Sequence, residues 1–327
     1  MKLGIGIALV LAGFVVLVLW MAARHESRAE AAFPPEGQFV EVQGHRVHVV
    51  VLGEENAGRD LVLIHGSSGN TRDMTFDIAP ELAKRYRVAV FDRPGLGYTD
   101  RINTTGATIN QQAALLQEAA AQLGFERPLV LGHSYGGAVA LAWAVDARDQ
   151  LAGLVLVSSP TQPWTSDLSL YYKTLSNPVL GPMVIPVLTA FVPDSLVERE
   201  VSSIFAPQDA PEGYPHAVAA ALTLRRDSLR ANALQRANLL DEITNLQPRY
   251  GQIDVPVEIV HGRADRIVGA EIHVPPFLKQ VPKANATLLP GIGHMPHHVA
   301  MDHVIAAIDR AAARANLLSN TATRASE

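Results

Sequence analysis

The chain has 327 residues, of which 48% are hydrophobic and 18% charged, and it contains no cysteine. This hydrophobic content supports a packed core and argues against extensive disorder. The formal net charge is −5 and no basic stripe occurs, which argues against a nucleic-acid partner. The lack of cysteine excludes disulfides, thiolate catalysis and cysteine-bound metals.

The N-terminal segment predicts a membrane anchor. Residues 3–23 are all apolar or glycine, between Lys2 and Arg24, and roughly 20 such residues span a bilayer as a helix. We therefore expect a single-pass anchor over residues 1–23 and a linker over 24–37. A cleaved signal peptide is the alternative, because Ala29 and Ala31 form a small-x-small site, although its apolar region is normally shorter. The flanking charges leave the side of the membrane open.

The next part of the chain predicts an α/β domain. Alternating valines over 38–52 indicate a hairpin, and short apolar runs then alternate with helical patterns. One predicted helix, at 107–123, begins with a capping box of Thr108 and Gln111. Such βα repeats favour a mostly parallel sheet with helices on both faces, whose sites lie beyond the carboxyl ends of the strands.

Residues 160–250 interrupt this alternation. The segment is rich in proline and aromatic residues, contains a predicted helix at about 216–240 and is too long for an ordinary loop. We interpret it as an inserted helical lid on a core made of residues 38–159 and 251–316. The core resumes with predicted strands at 255–260 and 286–289 and a helix at about 297–315. A loose polar tail is expected over 317–327.

Ser134 is the candidate nucleophile. It lies in the segment GHSYGG at 132–137, between a predicted strand and a predicted helix. A Gly-x-Ser-x-Gly sequence in this context is typical of a tight elbow that exposes a catalytic serine. The alternative is an ordinary glycine-rich turn between strand and helix.

A serine hydroxyl needs a base to take its proton, and His294 is the candidate. It follows the last predicted strand in a glycine-containing loop, with His297 and His298 as nearby alternatives. An acid must then orient the base. Asp265 follows the strand at 255–260, whereas the strand at 154–157 is followed by no acid. Asp92 also ends a strand but precedes the serine, against the expected order of Ser, Asp and His.

Two backbone amides are expected to meet the developing oxyanion. One belongs to Tyr135, directly after the nucleophile. The other is expected in the loop after an earlier strand, where the Ser67 N–H is the candidate. We expect His65, which begins that loop, to brace it rather than to catalyse.

From about Phe39 to Ala313 the chain resembles the α/β-hydrolase fold family. The resemblance implies an eight-stranded, mostly parallel sheet with a helical cap inserted after the sixth strand, and the same five site residues. It also implies structural roles for Asp92 and Arg93. The segments that carry it are HGSSG at 65–69, DRPGLGYTD at 92–100, GHSYGG at 132–137, GRADRIV at 262–268 and GIGHMPH at 291–297.

The same resemblance narrows the chemistry. Haloalkane dehalogenases and soluble epoxide hydrolases of this family carry Asp where this chain has Ser134, and the HGGG segment of one lipase group is absent. We expect hydrolysis of a hydrophobic carboxylic ester through an acyl-enzyme, without metal or organic cofactor. Carbon–carbon bond hydrolysis, lyase chemistry and acyl transfer by the same residues stay open, as does a non-catalytic, membrane-tethered binding module.

Overall fold

A computed structural model describes residues 2–317. Its apolar runs form one eight-stranded sheet in the order β1-β2-β4-β3-β5-β6-β7-β8. The first two strands form the expected hairpin, β2 pairs antiparallel with β4, and all other pairs are parallel. The strands are β1 Gln38–Val42, β2 His45–Leu52, β3 Asp60–Ile64, β4 Arg87–Phe91, β5 Leu129–His133, β6 Gly153–Val157, β7 Val257–Gly262 and β8 Ala284–Leu289.

The helices cover both faces of this sheet, and six of those in the described residues lie between β6 and β7, in the segment that we call the lid. Three short 3₁₀ segments within the described residues lie at Glu54–Asn56, Arg148–Gln150 and Gln247–Gln252. The helices are α1 Lys2–Ala32, α2 Thr71–Thr75, α3 Ile78–Ala83, α4 Ile109–Gln122, α5 Tyr135–Asp146, α6 Leu170–Ser176, α7 Leu180–Phe191, α8 Asp194–Ser203, α9 Tyr214–Ala217, α10 Ala220–Thr223, α11 Arg226–Leu246, α12 Ala270–Gln280, α13 Pro296–Val299 and α14 Met301–Arg314.

The sheet divides the core into two layers. Along β3, Val62 and Ile64 pack with α4, α5 and α12, whereas Leu61 and Leu63 pack with α3 and α14. This alternation follows from the two-residue period of a strand. Because both faces are covered, the central parallel strands are apolar throughout, and polar side chains collect at the strand ends.

The N-terminal helix is longer than the predicted anchor. Helix α1 continues to Ala32, so it includes most of the segment 24–37 for which we expected a linker. Its apolar part is long enough to cross a membrane, a property that a signal sequence shares. Its polar end is held by ion pairs from Glu26 to Arg226 (2.6 Å) and from Glu30 to Arg225 (3.0 Å). These contacts explain why the helix does not end at Arg24.

The segment between β6 and β7 contains the six helices α6–α11. The single helix expected at about 216–240 is divided into α9, α10 and α11, because Ala219 adopts a left-handed conformation (φ 54°) and Arg225 is extended. The final predicted helix is likewise divided at Ala300 into α13 and α14. The capping box of Thr108 and Gln111 is confirmed at α4. Of the tail expected at 317–327, all but Leu317 lies outside the described residues.

Candidate active site

Ser134 lies in the tight turn between β5 and α5. Its backbone has φ 51° and ψ −121°, a conformation that costs energy for a residue with a side chain. The flanking glycines make the turn sterically feasible. A Cβ at Gly132 would lie 2.2 Å from the Gly136 oxygen, and one at Gly136 would lie 2.2 Å from the Ile64 oxygen. Only glycine therefore fits on either side of the serine.

His294 and Asp265 form a direct hydrogen-bonded pair. His294 Nδ1 lies 2.7 Å from Asp265 Oδ2. The other carboxylate oxygen accepts hydrogen bonds from the N–H groups of Ile267 (2.8 Å) and Val268 (2.9 Å). Both side chains are buried. The two backbone bonds fix the carboxylate, and the carboxylate in turn fixes the imidazole.

The same contacts keep Asp265 ionised. Burial by itself raises the pKa of Asp265, but hydrogen bonds from His261, His294 and the Val268 amide outweigh it and hold the pKa well below its usual range. His261 Nε2 lies 3.4 Å from Asp265 Oδ2. An ionised carboxylate at Nδ1 holds the ring proton on that nitrogen and leaves Nε2 of His294 as the proton acceptor.

The His133 side chain brings the serine turn and the histidine loop together. His133 Nε2–H donates to the backbone oxygen of His294 over 3.0 Å, and the two rings lie 5.0 Å apart. Among the described residues, no hydrogen bond joins the Ser134 hydroxyl to the His294 ring. Catalytic hydrogen bonds of this kind often form only when substrate is bound.

The two predicted amides, those of Tyr135 and Ser67, border Ser134. Tyr135 is the first residue of α5, so its N–H has no partner within the helix. The loop after β3 lies directly against the serine, since a Cβ at Gly66 would be 3.2 Å from Ser134 Cβ. In that loop the Ser67 N–H has no acceptor among residues 2–317, and the buried Ser67 hydroxyl likewise lacks a partner there.

Arg93 binds the backbone of this loop through hydrogen bonds. Its fully buried guanidinium donates to the backbone oxygens of His65 (3.0 Å) and Gly66 (2.9 Å) and to the side-chain oxygens of Gln112 (3.0 Å) and Gln235 (2.8 Å). Burial lowers the pKa of Arg93 to about 10, so it stays protonated at neutral pH. His65 Nε2 accepts from the Arg93 N–H over 3.0 Å. These contacts agree with the structural role that we expected for Arg93 and with the bracing role that we expected for His65.

The lid contacts both loops of the site, which the sequence did not reveal. Gln208 donates to the Gly291 oxygen (2.7 Å) and accepts from the Gly293 N–H (2.9 Å), beside His294. Asn232 accepts from the Ser68 N–H (2.9 Å) and donates to the Ser68 hydroxyl (2.8 Å). No motif marks these lid residues, because their partners lie more than 80 positions away in the chain.

The alternative site residues do not pair with Asp265 or His294 among the described residues. His298 lies 2.8 Å from an Asp77 oxygen and 3.1 Å from an Asp73 oxygen. His297 is fully buried, with its ring 4.2 Å from that of His133. Asp92 accepts hydrogen bonds from two backbone N–H groups and an imidazole. Neither His297, His298 nor Asp92 takes the place of the His294–Asp265 pair.

Within the described residues, Asp73, His297 and His298 also form a group that could hold a metal ion, with ligand atoms within 4.8 Å of one another. An ion pair accounts for much of this group. Burial alone lowers the pKa of His298, but its hydrogen bonds to Asp73 and Asp77 raise the pKa to about 9. The protonated His298 thus neutralises part of the buried carboxylate charge.

Comparison with known proteins places this geometry in a family. The α/β-hydrolase fold model matches residues 61–300. A 2-hydroxy-6-oxononadienedioate/2-hydroxy-6-oxononatrienedioate hydrolase of Klebsiella pneumoniae is 30% identical over 257 residues, which cover 70% of this chain and 82% of the relative. Haloalkane dehalogenase 2 of Mycobacterium tuberculosis is 26% identical over 84% of this chain and 94% of its own length.

Solved structures agree on the fold. The crystal structure of a membrane phospholipase A, a bacterial virulence factor, has a TM-score of 0.63 at 20% identity and covers 95% of this chain and 99% of its own. A thermophilic esterase from Thermogutta terrifontis has a TM-score of 0.67 at 23% identity, covering 85% and 99% respectively. With the family model, the strand order and the serine elbow in agreement, the chain belongs to the α/β-hydrolase fold family.

Proposed function

We propose that this α/β hydrolase is a serine hydrolase with Ser134 as nucleophile, His294 as base and Asp265 as the acid that orients the base. One observation carries the proposal. His294 Nδ1–H donates to Asp265 over 2.7 Å, which leaves Nε2 of the ring as the proton acceptor, and a hydrogen bond from His133 ties the His294 backbone to the strained elbow of Ser134. These are the nucleophile, base and orienting acid that a serine hydrolase needs.

The proposed reaction is acyl transfer to water. Ser134 attacks a substrate carbonyl while His294 Nε2 takes the hydroxyl proton. The Ser67 and Tyr135 N–H groups donate to the oxyanion, and His294 then protonates the leaving group. In the second half, His294 activates a water molecule that releases the acyl group from Ser134. This sequence requires no metal or organic cofactor.

A hydrophobic carboxylic ester is the substrate class that we propose. The lid is apolar and aromatic over much of its length, and pockets for small molecules are mostly lined by such side chains. The Asp found in haloalkane dehalogenases is replaced here by Ser134, so halide displacement by a carboxylate is not the chemistry that we infer.

Carbon–carbon bond hydrolysis is the second candidate. The Klebsiella relative, which is 30% identical, is named for a hydrolase of a 2-hydroxy-6-oxo dienedioate. The same three residues can support either reaction, since the pocket decides which bond is cleaved.

We further propose that α1 stays attached as a membrane anchor. The small-x-small site at 29–31 lies within α1, and Ala29 is buried against Ala219 and Leu222 of the lid. Cleavage after this site would remove Glu26 and Glu30 and so break their ion pairs with Arg226 and Arg225. These contacts favour an uncleaved anchor over a removed signal peptide.

Active-site labelling tests the catalytic proposal. A fluorophosphonate probe should label the full chain, and Ser134→Ala should abolish labelling and lower kcat for p-nitrophenyl esters by about 10⁶-fold. Turnover of a 2-hydroxy-6-oxo dienedioate without turnover of esters would favour the second candidate. A wild-type chain that neither labels nor turns over either substrate would instead support a binding module.

A further inference from the structure

Helix α7 of the lid exposes a continuous apolar face. The 16 residues from Pro178 to Pro193 include no charged side chain. Large apolar side chains one or two turns apart are exposed along one side of the helix, with Met183 at 66%. Exposed apolar patches of this extent usually mark a contact with another molecule or a membrane. The exposed members are Val179, Leu180, Met183, Val187 and Phe191.

The opposite face of α7 packs against other helices of the lid. The exposed face is therefore a second apolar face and not the one that belongs in the core. Ile185 is buried in a cluster with Leu175 and Leu229. The only polar side chain of α7, Thr189, donates to the backbone oxygens of Ile185 (3.1 Å) and Leu224 (2.7 Å). With its hydroxyl satisfied inside the lid, α7 carries no polar side chain that requires water on its outer side.

Helix α7 packs along the apolar part of α1. At the polar end of that part, His25 Nε2 lies 3.7 Å from an oxygen of Asp194, just after the end of α7. Val18 and Ala22 are the buried residues within the apolar part of α1. A helix of 12 residues is about 18 Å long. Helix α7, about as long as one bilayer leaflet is thick, therefore lies beside the end of the apolar part that is next to the polar residues, and residues 3–17 of α1 are exposed beyond this contact.

We propose that α7 docks into the same membrane surface that α1 enters, with its exposed face against the acyl chains of one leaflet. The inference rests on the proposed role of α1 as an anchor. The ion pairs of Glu26 with Arg226 and of Glu30 with Arg225 hold the polar end of α1 against the lid, so α7 lies close to the surface that α1 would enter. Helices α6 and α7 meet at 111°, and the chain on both sides of them belongs to the lid. This bend favours insertion into one leaflet over a second crossing.

The lack of native cysteine allows a direct test. Single cysteines are introduced into the full chain at Met183, at Phe14 of α1 (51% exposed) and at Ile272 of α12 (48% exposed). Each is labelled with an environment-sensitive fluorophore and reconstituted into phosphatidylcholine vesicles, with and without lipids that carry a nitroxide quencher on the acyl chain. We expect several-fold quenching at positions 183 and 14 and none at the matched apolar control, 272.

The three positions separate the outcomes. Quenching at 14 without quenching at 183 would overturn the docking of α7 and leave the anchor standing. No quenching at either would overturn both. A blue-shifted, unquenched label at 183 whose signal grows with the protein-to-lipid ratio would mean that a second copy covers this face, which also overturns the proposal. Quenching at 183 in a chain that hydrolyses no ester would support docking while contradicting the proposed chemistry.

Discussion

The His133 ring donates a hydrogen bond to the backbone oxygen of His294 over 3.0 Å, and so connects the residue before the candidate nucleophile with the candidate base. Burial and the neighbouring His297 and His294 keep the pKa of His133 well below its usual range, so the ring is neutral at working pH. The bond therefore does not depend on a proton exchanged during turnover. It positions the His294 loop above the elbow.

Replacing His133 should slow the reaction without removing the nucleophile. A buried hydrogen bond contributes about 1–2 kcal/mol, so we expect His133→Ala to lower kcat for an ester roughly 5- to 30-fold, with a smaller change in KM. His133→Gln, which offers an amide donor, should recover part of the loss. Equal kcat for the wild type and both variants would contradict a positioning role.

Asp265→Asn should lower kcat by about 10⁴-fold, because an amide at this place stabilises the wrong tautomer of His294. The exposed Asp254 provides the matched control, and Asp254→Asn should leave kcat unchanged. Steady-state hydrolysis of a p-nitrophenyl ester measures both. Near-normal activity of Asp265→Asn would show that another acid orients the base.

The elbow should tolerate no side chain at Gly137. A Cβ there would lie 1.8 Å from Ser159 Oγ, whereas a Cβ at Gly251 meets its nearest atom at 4.0 Å. We expect Gly137→Ala to lower the free energy of unfolding by about 1–3 kcal/mol or more, and Gly251→Ala to change it by less than about 0.5 kcal/mol.

The double variant Gly137→Ala/Ser159→Gly tests the cause of that loss. The second change removes the side chain that clashes with alanine at 137. The loss of unfolding free energy in the double variant should therefore be smaller than the sum of the two single losses, by about 0.5–3 kcal/mol. Urea unfolding of all four chains measures the coupling. Strict additivity would mean that the 1.8 Å contact with Ser159 is not what excludes alanine.

The buried His298 should make stability fall between pH 7 and 9. Its pKa is about 9 in the folded chain, beside Asp73 and Asp77, against roughly 6.5 when unfolded. A histidine whose pKa is raised by folding stabilises the folded chain fully when the pH is below its pKa in the unfolded chain. This stabilisation is lost as the pH rises through its pKa in the folded chain. Burial raises the pKa of Glu242 to about 7, so the effect of Glu242 on the free energy of unfolding changes mainly below pH 7.

We expect the free energy of unfolding to fall by about 2 kcal/mol across that window. Urea unfolding at several pH values measures the slope for the wild type and for His298→Gln. The variant should be less stable at pH 7, because it leaves the buried Asp73 and the half-buried Asp77 without their cation, but its stability should change little up to pH 9. A wild-type slope of zero would contradict a protonated His298.

Much of the site could be predicted from local sequence. The spacing of glycines around Ser134 identifies the elbow because the steric demand there involves neighbouring residues only. The period of apolar residues likewise predicts the strands, and the position of His294 after the last strand follows from their order. The prediction of one helix at about 216–240 is less accurate, because this range is divided among three helices. The left-handed conformation of Ala219, which interrupts them, has no signal in the local sequence.

The sequence by itself determined the fold class, the chain order of serine, acid and histidine, and an N-terminal helix long and apolar enough to span a membrane. Only the tertiary structure decided which of three nearby histidines pairs with Asp265, that Gln208 of the lid holds the histidine loop, and that α1 packs along α7. The physical reason is that backbone conformation and apolar period are set by adjacent residues, whereas side-chain partners are set by packing between distant segments.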